Sequence, residues 1–161
     1  MKTTRIKKVL IALDYDQTAQ KVAETGYLLA KTMDADVVLL HVIADPVYYS
    51  STEYSPIMGF SGYVDLELAE STSDAGLKKA SLHFLEKTRN HLGDNAIQTQ
   101  VEEGDFAESI LKAAKKQHAD IIVMGSHSRK WLDDILMGSV TAKVMRETSI
   151  PLLIVPTKKQ R

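Results

Sequence analysis

The chain has 161 residues, with 20 lysines and arginines against 21 aspartates and glutamates, and a formal net charge of −1. That length fits one domain with a core large enough to stand without staples, and the near-neutral charge argues against a polyanion such as a nucleic acid as partner. Cysteine is absent, which excludes disulfides, thiol nucleophiles, iron–sulfur clusters and cysteine-bound zinc.

The longest uninterrupted apolar run is Val9–Leu13, far short of the roughly 20 residues that a membrane span needs. The opening Met1–Lys8 is basic and lacks the apolar stretch of a secretory signal. The expectation is a soluble, cytoplasmic protein with no membrane partner.

The first apolar segment, Lys8–Leu13 (KVLIAL), reads as a strand buried on both faces. A helical pattern follows over Thr18–Met33, with Ala19, Val22, Ala23, Gly26, Leu29 and Ala30 on one stripe and Asp16 or Thr18 as its cap. Asp36–Val42 (DVVLLHV) is a second buried strand. Ala44–Asp74 breaks the alternation: it holds Pro46, Pro56, Gly59, Gly62 and four of the six tyrosines, Tyr48, Tyr49, Tyr54 and Tyr63. A loop of that length is either a surface excursion packed on its own aromatics or a cover for a ligand or subunit contact.

Leu77–Leu92 returns to helical spacing and stops at Gly93. Ile97–Val101 alternates apolar and polar residues, as an edge strand does. Gly104-Asp105 turns the chain and caps a helix over Phe106–Gln117, with Glu108 in capping-box position. Asp120–Met124 is a fourth strand. Ser139 opens a helix over Val140–Glu147, and Pro151–Val155 is the last strand. Strands alternating with helices predict an α/β fold, a doubly wound parallel sheet. With no internal repeat or low-complexity tract, residues 1–161 form a single domain.

In such a sheet ligands bind beyond the carboxyl ends of the strands, where the strand order reverses. Asp14, Val42 and Gly125 follow three of the strands. After the fourth comes Gly125-Ser-His-Ser-Arg-Lys-Trp-Leu-Asp-Asp-Ile-Leu-Met-Gly138-Ser139-Val140-Thr141. A glycine at a strand end lets backbone approach a ligand. A second glycine with Ser-Val-Thr at a helix start offers N–H groups, hydroxyls and the positive end of a helix dipole, the ingredients of a phosphate site. Arg129 and Lys130 add cations. The same residues also suit an ordinary loop with an N-cap serine.

The chain resembles the universal stress protein family over essentially its full length. Gly125-x2-Ser128-x9-Gly138-Ser139 is similar to that family's nucleotide pattern Gly-x2-Gly-x9-Gly-(Ser/Thr). KKVLIALDYDQTA, VVLLHV, HADIIVMGSHS and IPLLIVP support it in order. The resemblance implies a single five-stranded parallel sheet of order 3-2-1-4-5 with helices on both faces, of the Rossmann-like, adenine nucleotide alpha hydrolase-like type. It implies ATP, or AMP or ADP, with Mg2+ as a possible companion. Ala12, Leu13 and Asp14 would then lie by the adenine and ribose, and Val42 on the base. Met124 joins them at the end of the fourth strand, and Gly125, Ser126, His127, Ser128 and Arg129 run alongside the ribose and phosphates. Gly138 permits the turn, and Ser139, Val140 and Thr141 hold the phosphates. Ser128 departs from the pattern's second glycine; it either obstructs close approach or donates its hydroxyl to a phosphate. Trp131 is bulky for this loop. In similar proteins the last strand pairs with its twofold mate, so Pro151–Pro156 implies a homodimer.

Other chemistries lack their residues. Walker, dinucleotide-binding and hydrolase-elbow motifs are missing. Of the histidines, His83 and His91 are expected in solvent, and His127 alone falls beside the expected ligand. Asp14 and Asp16 resemble the acidic pair of a receiver domain, but Glu102-Glu103-Gly104-Asp105 is a poor match for its phosphoacceptor. The leading expectation is a nucleotide-binding stress-response regulator. A slow ATP hydrolase using Asp14, or an interaction protein without nucleotide contacting partners through Ala44–Asp74, are the alternatives. The basic residues at both ends, such as Lys2 and Arg161, are expected to keep the termini solvated.

Overall fold

The computed structural model describes residues 4–15, 17–43, 74–126 and 138–157. Asp16, the Tyr-rich loop up to residue 73, and His127, Ser128, Arg129, Lys130 and Trp131 lie outside the described residues, as do residues 1–3 and 158–161.

In chain order the elements are β1 (Lys8–Leu13), α1 (Ala19–Thr32), β2 (Asp36–Ile43), α2 (Asp74–Leu92), β3 (Gln98–Glu103), α3 (Phe106–Lys116), β4 (Ile121–Gly125), α4 (Ser139–Glu147) and β5 (Leu152–Val155). The strands form one sheet of order β3-β2-β1-β4-β5, every neighbouring pair parallel. This is the doubly wound α/β fold that the residue pattern predicts.

Because successive side chains of a strand point to opposite faces, each strand feeds two cores. On one face Val9, Ile11, Leu39 and Val123 pack against Ala19, Val22 and Ala23 of α1 and Phe84 and Leu85 of α2. On the other Leu10, Leu40, Ile122 and Met124 pack against Ala107, Ile110 and Ala114 of α3 and Val144 of α4. α1 approaches the sheet at Gly26, where an added Cβ would stand 2.7 Å from Ile11 Cδ1 and 3.2 Å from Val123 Cγ1.

Element ends shift by a few residues from the sequence expectation, each for a local reason. β4 starts at Ile121 instead of Asp120 because the Asp120 carboxylate accepts hydrogen bonds from the N–H groups of Lys7 (2.8 Å) and Lys8 (3.0 Å). β3 starts at Gln98, leaving Ile97 buried ahead of it, and runs on through Glu102 and Glu103 along the sheet edge. Thr18 takes the N-cap position of α1, yet its backbone is helical and its side chain makes no capping bond. Asp105 does cap α3, accepting from the Glu108 N–H at 3.0 Å, and that bond holds its carboxyl below the usual carboxylate range. No helix among the described residues is long and apolar enough to cross a membrane.

Candidate functional site

The central strands β1 and β4 are neighbours, and the chain leaves them for opposite faces: α1 after β1 covers one, α4 after β4 the other. The crevice beyond Leu13 and Gly125 is therefore the topological switch point. Ala12, Val42 and Met124 all belong to the α3/α4 side, and the last two are 4% and 5% exposed. They form an apolar floor at the carboxyl ends of three adjacent strands. Leu13 faces the other way, into the α1/α2 core. It therefore offers the crevice its backbone and not its side chain.

The far wall is the start of α4. Gly138 takes the N-cap position, and the first helical bond runs from Ala142 N–H to the Gly138 carbonyl at 3.0 Å. The N–H groups of Ser139, Val140 and Thr141 precede that bond and carry the positive end of the helix dipole. Gly138 has φ −65° and ψ 159°, ordinary extended backbone that any residue adopts. Its expected role in permitting a turn is thus not conformational; what glycine supplies here is the absence of a side chain.

Two hydroxyls of the expected site are engaged by the protein. Thr141 is 3% exposed and donates from Oγ1 to the Gly125 carbonyl at 2.9 Å, so what it presents to a ligand is its N–H. Ser126 Oγ accepts from the Thr157 N–H at 3.0 Å and lies 3.2 Å from Thr157 Oγ1. Its backbone closes the same corner: its N–H donates to Val155 O, and its carbonyl accepts from Gly138 N–H at 2.7 Å. The ends of β4 and β5 and the start of α4 are thereby tied together. Ser139 is exposed.

Asp14 stands half-buried at the end of β1, its Oδ1 accepting from the Tyr15 N–H at 2.8 Å. Behind it lies His41, 1% exposed. Its Nδ1 is 2.9 Å from the Leu13 carbonyl; since a carbonyl only accepts, Nδ1 carries the proton, and the neutral ring keeps its lone pair on Nε2. Nε2 is buried without a hydrogen-bond partner among the described residues. The ring packs on Tyr15 (centroids 4.4 Å apart) and Phe84 (5.8 Å), and the Tyr15 hydroxyl reaches Ser81 Oγ at 3.1 Å. Burial pushes the His41 pKa down, against the opposing pull of the Asp14 charge and the Leu13 carbonyl.

His83 and His91 are both exposed, as expected; His91 Nε2 also meets Glu24 Oε1 at 2.8 Å, a contact between α2 and α1 that helical spacing cannot show. His41 and Thr157 were not assigned to the site from sequence. A histidine inside the apolar run VVLLHV was the available signal for the first; nothing local marks the second. Among the described residues no group of three or more His, Asp or Glu side chains converges to hold a metal ion.

Comparison with known proteins agrees with this architecture. The protein MJ0577 of Methanocaldococcus jannaschii, a universal stress protein, is 31% identical over 156 residues, covering 94% of this chain and 96% of that one. Its solved structure superposes with a TM-score of 0.73 at 27% identity, over 98% of this chain and all of the other. Two more distant structures share the fold: a universal stress protein in complex with cAMP (TM-score 0.59, 18% identical, 94% of this chain and 98% of that one), and one from Archaeoglobus fulgidus in complex with dAMP (0.54, 15%, 94% and 98%). The model of the universal stress protein family matches residues 5–156, and the chain belongs to that family.

Proposed function

We propose that this chain is an adenine-nucleotide-binding stress-response regulator that acts as a homodimer in the cytoplasm. The observation that carries the reading is the crevice itself. An apolar floor of Ala12, Val42 and Met124 lies beside the first-turn N–H groups of α4, with Asp14 just past the end of β1. A flat base suits the floor and an anion suits the helix start. The cAMP- and dAMP-bound relatives of the same fold support the choice of adenine.

ATP is the proposed ligand, with its adenine and ribose by Ala12, Leu13 and Asp14, and its phosphates at Gly138, Ser139, Val140 and Thr141. Mg2+ would enter with the phosphates and take Asp14 as its protein carboxylate, since such ions are commonly held by one or two carboxylates plus phosphate oxygens.

The dimer is proposed through β5. The carbonyls of Pro151 and Val155 accept from Ile122 of β4 and from Ser126 just past its end, so the alternate residues Leu152 and Ile154 turn their backbone groups to the outer edge of the sheet. An identical strand would satisfy them.

The deciding experiment uses the protein as purified, without added nucleotide. Denaturation and chromatography with mass detection should release adenine nucleotide near one per chain, and none from Gly138→Val. A chain that is empty and ignores added MgATP in calorimetry would end the nucleotide reading.

A further inference from the structure

We propose that His41 is a positioning residue of this site: by donating from Nδ1 to the Leu13 carbonyl it fixes the end of β1, and so sets where Asp14 stands toward the nucleotide. The inference rests on the nucleotide reading above and names a residue outside the crevice as part of its function.

Three observations converge on it. First, the bond spans two strands at the point where β1 ends: His41 is the register partner of Leu13, and its ring gives that carbonyl a second donor at 2.9 Å, beside the Val42 N–H that the parallel ladder brings to it. The next residue is Asp14. Second, the ring packs on Tyr15 and Phe84, and the Tyr15 hydroxyl bonds Ser81, so its direction is set by α2 as well as by β2. Third, the polar ring occupies a position 1% exposed, with no partner for Nε2 among the described residues. A leucine there would complete the apolar run of β2 at no such cost. The buried imidazole is retained for the one bond it makes.

The test compares the full chain with His41→Asn and His41→Phe. Asparagine keeps an N–H near the Nδ1 position and does not titrate; phenylalanine keeps the ring and its stacking but loses the donor. Affinity for AMP is measured by calorimetry at about pH 7.5, above the ordinary histidine pKa, with melting curves on the same samples. His41→Phe should bind about tenfold more weakly, and His41→Asn within about threefold of wild type. Affinity in His41→Phe equal to wild type, or losses in both variants that follow their melting temperatures, would overturn the proposal while leaving nucleotide binding intact. Failure of the wild type to bind AMP or ATP overturns the nucleotide reading, and this inference with it. Where His41→Phe does not fold, His41→Gln, whose amide stands at the Nε2 position, replaces it with the same expected loss.

Discussion

The Thr141 hydroxyl donates to the Gly125 carbonyl at 2.9 Å, fastening the first turn of α4 to the last residue of β4 across the glycine-bounded segment. A buried threonine thus sets the distance between the floor of the crevice and the helix start that faces it. Thr141→Val keeps the volume and leaves the Gly125 carbonyl without its donor. The expected cost is about 1–2 kcal/mol of folding stability, read by urea denaturation, together with weaker nucleotide binding. Binding that is unchanged at lowered stability would show that the wall does not need this fastening.

Gly138 and Ser139 separate approach from conformation. Since Gly138 has ordinary extended backbone, Gly138→Val should leave the melting temperature nearly unchanged while a branched side chain blocks the phosphates. A tenfold or greater loss of ATP affinity is expected, about 1.4 kcal/mol or more. Ser139→Ala should cost about 0.5–2 kcal/mol of binding, as for a lost cap or charge-assisted bond. If calorimetry finds wild-type affinity in both, phosphates do not sit at this helix start.

The exposed edge offers a clean test of assembly. Ile154 turns its N–H outward, so Ile154→Pro removes a group that β4 does not use, in a setting where edge strands tolerate proline. Sedimentation should show a dimer for the wild type and a monomer for the variant, with circular dichroism alike. A wild type that sediments as a monomer at every concentration would remove the β5 interface.

His41 also sets a pH dependence of stability. Its folded pKa lies below the ordinary value of 6.5 because burial disfavours the charged ring. The unfolded chain therefore takes up the proton first as pH falls. Stability from the neutral buried ring is fully present above 6.5 and is lost progressively below it, down through the folded pKa, by at most about 1.4 kcal/mol per pH unit from this one group. Urea midpoints between about pH 8 and about pH 5 should fall for the wild type, and less steeply for His41→Asn. Parallel slopes would mean that the ring is not buried neutral.

Much of the architecture was legible because it is written in local patterns. KVLIAL, DVVLLHV and DIIVM announce strands covered on both faces, and the stripe through Ala19, Val22, Ala23 and Ala30 announces the helix between the first two. Gly93, at φ +70°, ends α2 where the sequence places the stop. The helix ends at Asp34 and His118 were harder to read, since both residues take φ 54° without being glycine. There the backbone closes the helix by itself, with Ala35 N–H reaching Ala30 O and Ala119 N–H reaching Ala114 O.

Of the site, the residue types at Asp14, Gly125 and Gly138–Thr141 were legible, because phosphate and base recognition demand that chemistry at strand and helix ends. What those side chains do was decided by contacts between residues far apart in the chain. Leu13 turns away from the crevice because the strand pleat gives that position to the α1/α2 core. Ser126 is engaged by Thr157, and Thr141 by Gly125, because the ends of β4 and β5 and the start of α4 meet at one corner. His41 holds Leu13 because parallel pairing sets the two side by side, 28 residues apart in sequence. Periodicity fixes which face a side chain takes within its own element; only the packed sheet determines which neighbour it finds there.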